Sequence, residues 1–167
     1  LEISAHAASA PDHEPIHGWQ YPDEEYERLN NSLVRRIGTL NCGHTASPII
    51  LGVSEPQYTS AELAEIRRQN EEGVTVEGRH YSMYEATQKQ RQIEGASEQK
   101  AEDLIDEAAK DEEKLLTDQI RLRSINEEYR RFSKAAGLPT QRERAQIAGV
   151  GREKANDATK AAEQYYQ

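Results

Sequence analysis

Leu115, Leu122, Tyr129 and Ala136 recur at seven-residue intervals, and Ile125 and Phe132 fill the stripe between them. One apolar stripe of this period commits the segment to a long helix that must lay a single face along a partner, a coiled-coil-like seam. Gly137 and Pro139 stop it. The partner is close in sequence. Ser82-Met83-Tyr84-Glu85 has the capping-box pattern that opens a helix, and Ala101, Leu104, Ile105 and Ala108 continue its apolar face. Gly95 is expected to interrupt this helix, because glycine costs about 1 kcal/mol relative to alanine in a helix interior. The chain is expected to reverse around Ala108–Asp111, which makes the pair an antiparallel hairpin.

Composition supports an elongated helical body. The hydrophobic set is 35% of the chain, charged residues are 31%, and there is one Phe and one Trp. That is thin for a large compact core but enough for helices that each bury one stripe. Thr59-Ser60-Ala61-Glu62 is another capping box, predicting a helix over 60–72 that stops at Gly73. Val74–Tyr81 alternates around a glycine, as a small hairpin does. A third box, Thr140-Gln141-Arg142-Glu143, opens a short helix to Ala148, and Ala155, Ala158, Ala162 and Tyr165 frame a last one.

The first 55 residues read differently. Leu1 and Ile3 alternate as in a strand, and Pro11 and Pro15 then break regular structure. Tyr21–Glu25 starts a short helix carrying Tyr26, Leu29 and Leu33, ended by Gly38. Residues 39–53 read as loop, short strand and turn around Ile49, Ile50, Leu51 and Val53. The expected fold is α+β: a small irregular N-terminal α/β module over 1–55, then a mainly helical section over 56–167 with a long antiparallel helical hairpin.

Charge and cysteine use narrow the function classes. A formal net charge of −9 disfavours a general nucleic-acid binder, since phosphate contacts need clustered Lys and Arg. No run approaches the roughly 20 apolar residues of a membrane helix. A single cysteine excludes an intramolecular disulfide and favours a reducing compartment. Leu1-Glu2-Ile3-Ser4 lacks the basic and apolar regions of a secretory signal. It opens without Met on what reads as mid-strand, so an upstream part is expected to be missing.

The chemistry-bearing residues are His6, His13, Cys42 and His44. Thiolate and imidazole are zinc-ligand types, and Cys42-x-His44 is a tight pair. The spacing of two residues usual between paired structural ligands is absent. That favours a hydrogen-bonded cluster with Cys42 as a small buried hydrophobe, so no cofactor is expected and zinc is the alternative. A Cys/His nucleophile would need something to lower the thiol pKa, such as a helix N-terminus, whereas Thr45–Leu51 reads as extended chain. The acids of 98–113 read as a solvated helix face or tip. Arg121, Arg123, Arg130, Arg131 and Lys134 either pair with acids or contact nucleic acid or an acidic partner. Leu115, Leu122, Ile125, Tyr129 and Phe132 are candidates for partner contact where the hairpin does not use them. A homo-oligomeric adaptor would keep the Leu115–Ala136 stripe exposed in the single chain.

Ser4-Ala5-His6-Ala7, Pro11-Asp12-His13, Gly18, Asn41-Cys42-Gly43-His44 and Pro48 together resemble the signature of phage minor capsid proteins of the Mu F-like head-morphogenesis group. Tyr58–Glu94 and Lys114–Gln146 are similar to the C-terminal region of minor capsid proteins of Gram-positive phages and prophages. Gly43 stands where that group usually has Arg, and the stretch from Gly95 to Asp111 is more acidic than the group's. The resemblance implies a non-enzymatic virion component, present in few copies inside the head near the portal and in the host cytoplasm during assembly. It would assist head assembly, DNA packaging or ejection. Implied partners are portal or capsid proteins and packaged DNA, with no membrane and a homo-oligomer as a further option. The alternative is a toxin- or nuclease-like catalytic module, or its remnant, associated with a phage head protein.

Overall fold

The computed structural model of the chain describes residues 1–39, 42–107 and 112–140, without the side chains of 102, 104–107 and 112–116. The third capping box, the helices expected after it, and the reversal at Ala108–Asp111 lie outside the described residues. Among those described, four helices and two antiparallel pairs of strands give an α+β architecture. The chain forms two compact units, 1–87 and 88–167. Position 55/56, expected from the sequence as a boundary, falls inside the first.

The first unit is assembled from short pieces. Strand β1 (Glu2–Ile3) pairs antiparallel with β2 (Ala46–Ser47) and bridges Gln20 on its other side. Residues 10–18 form tight helical turns, with Glu14 N–H bonded to the Ala10 carbonyl and His17 N–H to the His13 carbonyl. As expected, no regular helix or strand forms here, and Pro15 is accommodated within the turns. The early turns of a helix leave N–H groups unused, and there proline loses nothing. Helix α1 (Asp23–Ser32) ends when Leu33 turns extended, before Gly38 is reached. Ile37 N–H then bonds the Asn30 side chain, folding the chain back.

Helix α2 (Ser60–Glu72) carries the expected capping box: Glu62 N–H bonds Thr59 Oγ1 and Thr59 N–H bonds the Glu62 carboxylate. Its side chains dock the 10–18 turns. Arg67 pairs with Glu14 at 3.0 Å, and Asn70 donates to Glu14 while accepting from Tyr84 N–H. The hairpin β3 (Val74–Val76) and β4 (Arg79–Tyr81) closes through Glu77-Gly78, both at positive φ, the pattern of a type I′ turn.

Apolar burial in this unit is sparse. Ile3, Ile37 and Cys42 form one buried cluster, with Ile16, Tyr21, Tyr26, Leu33 and Ala46 packed on it. Polar anchors supplement it. Glu2 is only 2% exposed, and its carboxylate accepts from Gln57 N–H at 2.7 Å and from the Gln20 amide at 3.2 Å. The Ile49–Val53 run, read as apolar content for this module, is not in its core. β2 covers only Ala46–Ser47, and residues 50–54 turn back on themselves through Ser54 N–H to the Ile50 carbonyl. Ile50, Leu51 and Val53 are 67, 49 and 74% exposed.

In the second unit, helix α3 (Met83–Glu107) and helix α4 (Glu112–Ala135) run antiparallel. Gln90 meets Ser133, Ser97 meets Asn126, and Lys100 meets Asp118, so positions rise on one helix as they fall on the other. Ile93, Ala101, Tyr129, Phe132 and Ala136 are buried. Asp118 shares the seven-residue register of Ile125 and Phe132 and is 2% exposed, 2.8 Å from Lys100 Nζ. Against expectation α3 runs unbroken through Gly95, and a Cβ there would meet nothing within 4 Å.

Gly95→Ala should therefore stabilise the protein by about 0.5–1 kcal/mol, read from denaturant unfolding, because it removes unfolded-state entropy without a clash. Gly73→Ala should do the opposite. Gly73 has φ +47, and a Cβ would sit 1.9 Å from the Tyr81 carbonyl oxygen. The expected loss exceeds the roughly 1–2 kcal/mol of positive φ alone, which Gly38→Ala, with no such neighbour, reports separately.

Candidate functional site

Four histidines and the cysteine come together in the first unit. The helical turns of 10–18 bring His13 and His17 to one side, and the loop entering β2 supplies Cys42 and His44. His13, His17, Cys42 and His44 are 1, 3, 7 and 2% exposed. Cys42 Sγ lies 3.5 Å from His13 Nδ1 and 3.4 Å from His44 Nδ1. The ligand-type atoms of His13, Cys42 and His44 all fall within 4.8 Å of one another. His6 lies beside them, its ring tilted by 36° and its centroid 4.0 Å from that of His44.

Outer contacts fix the rings. His13 Nε2 donates to the Arg35 carbonyl at 2.6 Å. A carbonyl only accepts, so Nε2 carries the hydrogen, and in the neutral ring the Nδ1 lone pair faces Cys42. His44 Nδ1 is 3.2 Å from the Cys42 carbonyl, and its Nε2 is 3.1 Å from Ser9 Oγ and 3.3 Å from His17 Nδ1. Ser9 is fully buried. His6 Nε2 is buried with no hydrogen-bond partner. Gly43, at φ +76, lets the chain pass there, since a Cβ would stand 3.0 Å from that nitrogen. Any side chain at position 43 would need His6 to give by a few tenths of an ångström as well as a strained backbone.

Burial sets the charge state. It holds His44 down to about 3, helped by the neighbouring His6, His13 and His17. His17 is lowered to about 4 by burial first and His6 second. Burial also lowers His6, against a hydrogen bond to the Cys42 backbone. At neutral pH these three rings are uncharged around a thiol.

The sequence-derived set of His6, His13, Cys42 and His44 is thus assembled in one place. His17 and Ser9 were not in it. The four-residue spacing of His13 and His17 was the available signal, obscured by Pro15. Among the partner-contact candidates, Tyr129 and Phe132 are buried at 6 and 7% exposure, and Leu122 and Ile125 are half-buried. The Leu115 side chain lies outside the described residues. An adaptor with this stripe exposed in the single chain does not match the buried Tyr129, Phe132 and Ala136. Arg121, Arg123, Arg130, Arg131 and Lys134 are all exposed, but Arg121 pairs with Asp118 and Arg130 with Glu127 along the helix. Of the acids in 98–113, Glu98 is exposed and Asp103 accepts from Gln99, while the other side chains lie outside the described residues.

A family model described as phage minor capsid protein 2 matches residues 1–134, which include the whole His/Cys cluster and nearly all of the hairpin described here. No curated protein and no solved structure matches the chain.

The neutral imidazoles give a signed pH dependence. Their folded pKa values lie below the unfolded value of about 6.5, so the unfolded chain binds more protons between the two. In chelator-containing buffer, stability should be full above about pH 6.5 and fall as pH drops through 4 toward 3. His17→Gln should flatten that decline in pH-dependent urea melts.

Proposed function

Because the chain belongs to the phage minor capsid protein 2 family, a family of structural virion components, we propose that it is a non-enzymatic docking subunit of the head, of the Mu F-like head-morphogenesis type. It acts near the portal on the inside of the head, in assembly, packaging or ejection, after assembling in the host cytoplasm. Among the described residues no helix is long and apolar enough to cross a membrane.

The observation that carries the docking reading is an exposed apolar edge on the first unit. Trp19 is 50% exposed, and the 50–54 turn exposes Ile50, Leu51 and Val53. Gln20 ties the two segments together, its amide donating to the Ser54 carbonyl at 3.3 Å. Large apolar side chains gathered on one edge favour a protein partner over solvent. The partner proposed is a portal or capsid protein of the same phage. DNA is a weaker candidate: on α4 Arg121 pairs with Asp118 and Arg130 with Glu127, and the net charge is −9. The burial of Cys42 and His44 speaks for a cluster that holds loops together, because a nucleophile must be reachable by its substrate.

Copurification with the portal ring and recovery in purified particles test this reading. Ile50→Asp and Val53→Asp should lower recovery at least about tenfold while moving the melting temperature by no more than about 2 °C, as exposed substitutions do. Normal recovery of both variants would sink the proposed docking edge. A hydrolytic activity lost in His6→Ala, together with failure to bind portal or capsid, would reverse the assignment in favour of a catalytic module.

A further inference from the structure

We propose that His13 Nδ1, Cys42 Sγ and His44 Nδ1 form a zinc site, that the adjacent His6, which lies outside this close donor set, turns in to complete it, and that the ion locks the irregular first unit. This inference is independent of the docking reading.

The donor spacing is the first support. Zinc binds imidazole nitrogen at about 2.0–2.1 Å and thiolate sulfur at about 2.3 Å, so the edges of its tetrahedron measure about 3.3–3.6 Å. The two sulfur–nitrogen separations here are 3.5 and 3.4 Å. A thiol and an imidazole nitrogen can reach that separation as a weak hydrogen bond. Two such separations around one sulfur, with all three donors buried, describe a coordination shell better than they describe a thiol with a single hydrogen to share.

The outer contacts are the second support. A histidine ligand typically gives its other N–H to a carbonyl or another polar oxygen, which orients the ring. His13 does this to the Arg35 carbonyl at 2.6 Å. With Nδ1 of His44 on the ion, its Nε2–H points at Ser9 Oγ, 3.1 Å away and fully buried.

The third is His6. Its Nε2 is buried and has no hydrogen-bond partner among the described residues, an arrangement that costs free energy. A cation at the cluster supplies what that lone pair lacks. The fourth is the setting itself. The apolar cluster of this unit has three fully buried members, and Cys42 is one of them. Small, loop-rich folds with so little core commonly rely on a metal. Binding releases the Cys42 proton to solvent, while the imidazoles enter neutral.

The test uses the full chain. Protein purified without chelator should contain close to one zinc per chain by elemental analysis, and removal of the metal should lower the melting temperature by at least about 10 °C, restored by added zinc. Cobalt loaded into the metal-free chain should give thiolate-to-cobalt charge-transfer absorption. Cys42→Ser should abolish that absorption, and His13→Ala and His44→Ala should lose stoichiometric zinc. His6→Ala should weaken zinc at least about tenfold. His80→Ala, at an exposed position on β4, should retain full zinc content. Should any of the ligand variants fail to fold, zinc titration of the wild-type chain, followed by melting temperature and by the cobalt spectrum, decides alone. Wild-type chain that holds less than about a tenth of an equivalent of zinc, and melts identically with and without it, overturns the site. Selective retention of copper over zinc overturns the choice of metal.

Discussion

The hydrogen bond from His13 Nε2 to the Arg35 carbonyl orders the site around it. By taking up the proton-bearing nitrogen it turns Nδ1 toward Cys42, and it joins the 10–18 turns to the loop that follows α1. Those segments have almost no regular secondary structure to hold them. Cys42 in turn sits between two imidazoles and in the apolar cluster with Ile3 and Ile37. One residue therefore links the polar knot to the small core, and neither is complete without the other.

The rest of the chain uses the same device of buried polar anchors in place of apolar bulk. Glu2 holds Gln20 and Gln57, Asn70 joins Glu14 to the start of α3, and Asp118 pairs with Lys100 in the second unit. Such contacts add little net stability compared with apolar packing. They are selective, because a shifted register would leave a buried carboxylate or amide without its partner. In the hairpin, Gln90–Ser133, Ser97–Asn126 and Lys100–Asp118 set the register in this way, while a short list of apolar residues supplies the burial.

This arrangement suits a structural virion component. The His/Cys cluster is buried, while Trp19, Val34 and the side chains of Ile50, Leu51 and Val53 remain exposed. The family match, over residues 1–134, spans both the knot and nearly all of the described hairpin.

The α+β class, both described capping boxes, the end of α2 at Gly73, the strand pair over 74–81 and the paired long helices follow from local rules of hydrogen bonding and period, and those rules can be read along the chain. His6, His13, Cys42 and His44 could be grouped by residue type alone. Their convergence, and the addition of His17 and Ser9, could not, because the contacts, such as Ser9 to His44, join distant segments through loops with no periodic signal. Ile50 and Val53 read as part of a short strand and turn, and the turn leaves them exposed. The sequence by itself determined the elements, since each is specified by neighbours within a turn or a strand. Only the tertiary structure decided which polar groups are buried, since that depends on partners brought together from distant positions.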